Sequence, residues 1–178
     1  MPPCSGAVHL RRATEDDASA MARIQDRASR SALRGLLPDE LLADTVEETH
    51  QRAWRREIEM LPAELRPSVA DVDGRLVGFI GATPSDEVPG DLPGEEGSEL
   101  TVYVDPECWG QGIGRRLVEH QVRLLRHLGR TRLSTWVMVG DSRAGGFCAA
   151  LGWHADGAVR TRQAGTHTLD EVRYRAGR

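Results

Sequence analysis

The sequence predicts a mixed α/β fold, and three observations carry that expectation. Short runs of strand character alternate with stretches whose apolar residues recur at helical spacing, in the order βααββ–βα–βα–ββ. Asp73-Gly74 separates two apolar runs and is a strong two-residue hairpin signal. A glycine-rich turn at Gly110-Gln111-Gly112-Ile113-Gly114 lies between a strand pattern and the best amphipathic helix of the chain. With 178 residues, 39% hydrophobic and 28% charged, the composition suits one globular domain over 1–178, with its core at about 8–175.

Each element has a local reason. Val8–Arg12 is a short strand, and Thr14 with Glu15, Asp16 and Asp17 starts a helix, because a capping hydroxyl and acids suit its positive end. Ala18, Met21, Ile24 and Ala28 give that helix one apolar face. A second helix is expected from about Pro38-Asp39, with Leu41, Leu42, Val46, Trp54 and Ile58 as its stripe. Strands follow at 68–72 and 76–82, then an acidic loop over 83–98, then a strand at 98–104 ending at Asp105-Pro106. The helix at 113–128 has Ile113, Leu117, Val118, Leu124, Leu125 and Leu128 on one face. A strand at 132–139, a short helix at 141–151 and strands near 155–160 and 168–174 complete the chain.

Composition excludes several classes. Twenty-three basic residues, all Arg, against 27 acids give a net charge of −4, which argues against a nucleic-acid binder. No apolar run approaches the roughly 20 residues that span a bilayer, and the first residues lack the pattern of a secretory signal. Cys4, Cys108 and Cys148 are odd in number and widely spaced, which argues against a disulfide framework and against zinc and points to the cytoplasm. The six histidines are scattered without ligand or triad spacing, and read as structural or exposed.

The glycine turn is where chemistry concentrates. Such a turn lets backbone N–H groups converge on an anion, and the dipole of the following helix favours negative charge there. Six Arg and one acid, Glu119, between Arg115 and Arg132 make the local field positive. A phosphate is the natural ligand. A P-loop is excluded because the chain has no Lys, and a dinucleotide fingerprint because Arg115-Arg116 follow where a third spaced Gly belongs.

The stretch Leu100-Thr101-Val102-Tyr103-Val104-Asp105-Pro106, followed by Trp109-Gly110-Gln111-Gly112-Ile113-Gly114, resembles the GNAT superfamily of N-acetyltransferases. These enzymes move acetyl from acetyl-CoA to an amine, and their signature is Q/R-x-x-G-x-G/A; Trp109 stands at the Q/R position. The run from Asp141 to Trp153 is similar to the family's second motif, N-x-x-A-x-x-F-Y-x-x-L-G-F. The resemblance implies an acyl-CoA N-acyltransferase fold with a central, mostly antiparallel sheet flanked by helices. It implies that the pantetheine arm pairs with backbone around Val102, Tyr103 and Val104, that pyrophosphate meets the amides of Gly110, Gln111, Gly112, Ile113, Gly114 and Arg115, and that Trp109 joins the cofactor-binding residues beside that turn. It extends the cofactor contacts to Asp141, Arg143 and Phe147. Two departures stand out: Asp141 replaces the usual Asn, and Cys148 replaces a Tyr that donates a proton to the leaving thiolate.

The resemblance also assigns roles, each with a plainer alternative. An alkylammonium cannot attack a thioester, so a base must take its proton. Glu99 is the expected base, acting through water; otherwise it is a strand-end or substrate-binding acid. Cys148 is either the proton donor or a buried apolar residue, with Tyr103 and Tyr174 as substitutes. Asp86, Glu87, Asp91, Glu95 and Glu96 either attract a cationic amine or form a solvated loop. Trp54 and Trp153 read as core, Trp109 as a flank of the cofactor turn, and Cys108 as packing beside that turn. The expected partners are acetyl-CoA and a small-molecule or peptide amine, without metal, nucleic acid or membrane, in a chain whose relatives often form homodimers. A non-catalytic acyl-CoA-binding or sensing module is the alternative function.

Overall fold

A computed structural model describes residues 4–38, 47–85, 97–164 and 167–177. Seven strands form one mixed sheet: β1 (Val8–Arg12), β2 (Ser68–Val72), β3 (Arg75–Ser85), β4 (Gly97–Val104), β5 (Arg132–Met138), β6 (His154–Ala164) and β7 (His167–Arg175). Their order is β1-β2-β3-β4-β5-β7-β6. The flanking helices are α1 (Ala18–Leu33), α2 (Glu47–Met60), α3 (Ile113–His127) and α4 (Ser142–Ala150). The expected mixed α/β class therefore holds. β1/β2, β2/β3, β5/β7 and β6/β7 run antiparallel, whereas β4/β5 is parallel.

The chain divides into two compact units. The first comprises Met1–Ser31, Asp44–Ala82 and Thr101–Gln121. Its core gathers Ala13, Met21, Ile24, Ile58, Val69 and Phe79, with Trp54, Leu76 and Tyr103 packed against them. The β2–β3 hairpin turns at Asp73 (φ 51°) and Gly74 (φ 78°), a pair of positive angles that suits the right-handed twist of the strands. Asp17 organises the entry to α1. Its carboxylate accepts from the Thr14 N–H at 2.7 Å and hydroxyl at 3.0 Å, and from Arg11 at 2.7 and 2.8 Å. Burial works against that charge, but these bonds outweigh it and hold Asp17 below the usual carboxylate range.

One glycine matters for packing α3. A Cβ on Gly78 would stand 2.9 Å from the Tyr103 carbonyl, 3.2 Å from Leu117 and 3.3 Å from Val104. Only a bare backbone lets α3 come this close. Deeper along the helix, buried Gln121 accepts from the Ser68 hydroxyl at 2.9 Å and from Arg12 at 3.4 Å.

The second unit comprises Ala32–Ala43, Thr83–Leu100 and Val122–Arg178. β7 is its central partner, pairing with β5 through Ser134↔Arg175 to Met138↔Glu171, and with β6 on its other edge. Leu133, Val137, Cys148 and Trp153 are buried in this unit, so Trp153 is core as expected.

Several expectations are corrected. Cys4 and Cys108 form a disulfide, with Cα atoms 5.6 Å apart, within the normal span for such a bridge. Sequence spacing misled because tertiary folding brings the segment before β1 to the turn after β4. α2 is described from Glu47 onward; Leu41, Leu42, Val46 and the acidic residues 86, 87, 91, 95 and 96 lie outside the described residues. Leu128 falls past the end of α3 and is 47% exposed, so it leaves the apolar stripe. No described helix is long and apolar enough to cross a membrane.

Candidate active site

The first unit carries the strand, turn and helix of the proposed cofactor site in one continuous run. β4 pairs with β5 only through Gly97, Ser98 and Glu99. Beyond Glu99, no described β5 residue pairs with β4. Strand amides and carbonyls are strong hydrogen-bonding groups. Such an edge suits an extended, amide-bearing ligand.

The turn that follows is braced from below. Asp105 is buried and accepts from the Glu107 N–H at 3.0 Å, while Arg27 reaches it at 3.2 Å. Arg27 also pairs with Glu107 at 2.9 Å. The Trp109 indole donates to the Val104 carbonyl at 2.7 Å, so Trp109 does flank the turn. Gln111 is likewise engaged, its amide donating to the Glu107 carbonyl at 3.2 Å.

Gly110 and Gly112 adopt φ of 76° and 78°, a region that L side chains seldom occupy. A Cβ built on either would meet nothing within 4 Å, so the space above both is open. Gly112 offers its carbonyl to the Arg116 N–H at 3.1 Å, which places the start of α3 immediately after it. The residues from Ile113 onward then form the first turn of α3. A helix N-terminus preceded by such glycines suits an anion. Arg115 pairs with Glu119 at 3.6 Å, and Arg116 donates to the Val8 carbonyl at 2.9 Å.

The second unit holds the remaining expected site residues. Asp141 caps α4, its Oδ1 accepting from the Ala144 N–H at 2.9 Å. This role explains an acid where the family pattern has Asn, since both are good N-caps. Arg143 is exposed and Phe147 half-buried on α4. Cys148 is 3% exposed, and burial followed by the charge of Asp141 pushes its thiol up to about 11. Tyr174 on β7 brings its hydroxyl to 3.2 Å from where a Gly145 Cβ would stand. Tyr103, in the first unit, instead stacks on Phe79 at 5.2 Å.

Glu99 is half-buried, and both of its carboxylate oxygens face Arg160, at 3.3 and 3.4 Å. Arg160 also pairs with Glu171 at 2.6 Å and lies 4.4 Å above the Trp136 ring. Burial acts to lower the Arg160 guanidinium, but the bonds to Glu171 and Glu99 prevail and raise it. No spacing rule points to this partner, because Arg160 arrives from β6, 61 positions away.

Sequence spacing also hid a histidine pair. His50 Nδ1 lies 2.6 Å from Asp26 Oδ1, joining α2 to α1 across 24 positions. Among the described residues, no group of three or more His, Cys, Asp or Glu could hold a metal ion.

Comparison with known proteins places this arrangement. The model of the acetyltransferase (GNAT) family matches residues 33–153. The chain belongs to that family, whose enzymes use acetyl-CoA as acyl donor. A search of curated proteins finds no match. Among solved structures, the chain is similar to a PaiA N-acetyltransferase from Thermoplasma acidophilum in complex with coenzyme A: 17% identity, 93% of this chain and 98% of the other, TM-score 0.72. It is similar to a ribosomal-protein-alanine N-acetyltransferase from Brucella melitensis, with 25% identity, 94% and 98% coverage and TM-score 0.69. It is also similar to YncA, a putative acetyltransferase of Salmonella typhimurium with its cofactor acetyl-CoA, with 19% identity, 96% and 94% coverage and TM-score 0.67.

Proposed function

We propose that this acetyltransferase moves the acetyl group of acetyl-CoA directly to a primary amine in a ternary complex. The observation that carries the reading is the unit-one run of strand edge, positive-φ glycine turn and α3 N-terminus. The strand edge would hold the amides of the pantetheine arm, and the turn amides the pyrophosphate. Backbone N–H groups near Val102–Val104 would polarise the thioester carbonyl. Side chains at Gly110 or Gly112 would fill the anion's approach.

The ion pair with Arg160 favours the second of the roles open to Glu99. A carboxylate aligned on a guanidinium is held as an oriented negative group, with lone pairs left over for a further cation. We therefore read it as the negative group that draws in and holds the acceptor's ammonium. The departing thiolate needs little help, since a thiol has a pKa of about 8.5. The Cys148 thiol, at about 11, would give its proton uphill, so it serves as core.

The acceptor is an amine whose class the geometry leaves broad. The Brucella melitensis enzyme acts on ribosomal-protein alanine, so an alanine-ended peptide joins polyamines and amino acids as acceptors to try. The cysteine spacing pointed to the cytoplasm, but the Cys4–Cys108 bridge speaks against a reducing compartment.

Calorimetric titration with acetyl-CoA tests the site. Wild type should bind, and Gly112→Val should lose at least tenfold in affinity while remaining folded. Equal affinity in both proteins would remove the turn from the reading.

A further inference from the structure

The α1–α2 contact contains a pair that packing alone does not require. Asp26 is 8% exposed by side chain, and His50 28%, with 2.6 Å between Oδ1 and Nδ1. Burying a carboxylate is costly unless it is paired. The two helices have other means of adhesion: Met21, Ile24 and Ile58 in the core, and the Trp54 indole donating to Gln25 at 2.6 Å. Of the charged groups around the pair, Arg27 beside Asp26 is taken up by Asp105 and Glu107, Glu48 and Arg52 flank His50 on α2, and Arg23 on α1 faces Glu47 on α2 at 3.9 Å.

The pairing fixes the imidazole's orientation. A carboxylate only accepts, so Nδ1 is the donor, and in the neutral ring the lone pair sits on Nε2. No other described residue pairs with His50, and its ring is partly open to solvent. A buried acid orienting an accessible imidazole is the arrangement that proton transfer needs.

The pair's place in the first unit agrees with that use. One turn beyond His50, Trp54 meets Phe79 edge-on at 5.0 Å, and Phe79 stacks on Tyr103 of β4 at 5.2 Å. α3 packs against the other face, where Gly78, Val104 and Leu117 meet. Tyr103 of β4 thus faces the α1–α2 side of the sheet, opposite α3.

We propose that His50 Nε2 takes the proton from the acceptor's ammonium, with Asp26 as its positioning residue. This rests on the acetyl-transfer reading above. The N–H bond of R–NH3+ breaks, giving neutral amine and imidazolium. The amine forms a bond to the thioester carbon as the C–S bond breaks. The second proton leaves the new amide nitrogen for the departing thiolate, giving CoA thiol, and His50 returns its proton to solvent.

The experiment measures kcat and KM from pH 6 to 10 for wild type, His50→Gln, His50→Ala and Asp26→Asn. The probes are an alanine-ended peptide, spermidine and a free amino acid, and acetyl-CoA affinity and melting temperature are recorded for each protein. At pH 7, His50→Gln should lose about 10²–10⁴-fold in kcat, with acetyl-CoA affinity unchanged. The loss should shrink as pH nears the amine's own pKa, about 10. Added imidazole should restore part of the activity of His50→Ala, and Asp26→Asn should fall between wild type and His50→Gln. A kcat within threefold of wild type, a loss equal at all pH, or an effect confined to KM would overturn the proposal. Those results leave the acetyl-transfer reading standing. A wild type that binds no acetyl-CoA, or acetylates none of the three amines, overturns both together.

Discussion

Gly112 shows how one residue joins backbone conformation to ligand chemistry. Its φ of 78° strains any residue with a Cβ by about 1–2 kcal/mol, and its open face is where an anion would approach. Glu99 and Cys148 sit at the other pole of the chemistry, and both are constrained by neighbours that sequence does not reveal. Because Arg160 holds Glu99, Glu99→Gln should raise KM for the amine, with a loss that is flat across pH; steady-state kinetics from pH 6 to 10 checks this. A loss that high pH restores would return Glu99 to the role of base. Cys148→Ala should lower turnover less than tenfold, measured by thiol release, because the buried thiol is a poor proton donor. Its legibility was partial: the motif marked position 148, but only burial decides what a cysteine does there.

Among the elements, α1, α3 and the β2–β3 hairpin were legible because each rests on local causes. Acids at a helix start, a regular apolar stripe and Asp73-Gly74 act through neighbours in sequence. The acid box at α1 predicts a pH effect. Asp17 is held low, so its bonds to Arg11 and Thr14 add stability above the unfolded carboxylate's pKa of about 4 and lose it as pH falls through the lower folded value. Asp17→Asn should therefore cost about 1–3 kcal/mol at pH 7, with the gap closing toward acid pH in denaturant titrations. A gap that is constant with pH would deny the ion pair its part. Gly78 was not legible as special, because its constraint comes from α3 and Tyr103 arriving above it. Gly78→Ala should cost about 1–3 kcal/mol in the same titrations.

At the scale of the whole chain, the order of elements foretold the mixed sheet, and two motifs foretold the family. Long-range pairings stayed hidden: Cys4 with Cys108, Arg160 with Glu99, and His50 with Asp26. None has a spacing rule, since each is set by the way helices and strands come together. The disulfide can be read chemically. The chain has three cysteines. Thiol titration should find none reactive in the native protein, one after denaturation alone, and three after denaturation with reductant. Three without reductant would deny the bridge.

The central claim is amine-dependent acetyl transfer, and free-thiol release from acetyl-CoA measures it most directly. With the alanine-ended peptide, spermidine and a free amino acid offered separately, at least one should release thiol far above the rate without amine, matched by an equal amount of acetylated amine. Tight acetyl-CoA binding with no amine-dependent release for any acceptor would contradict the claim.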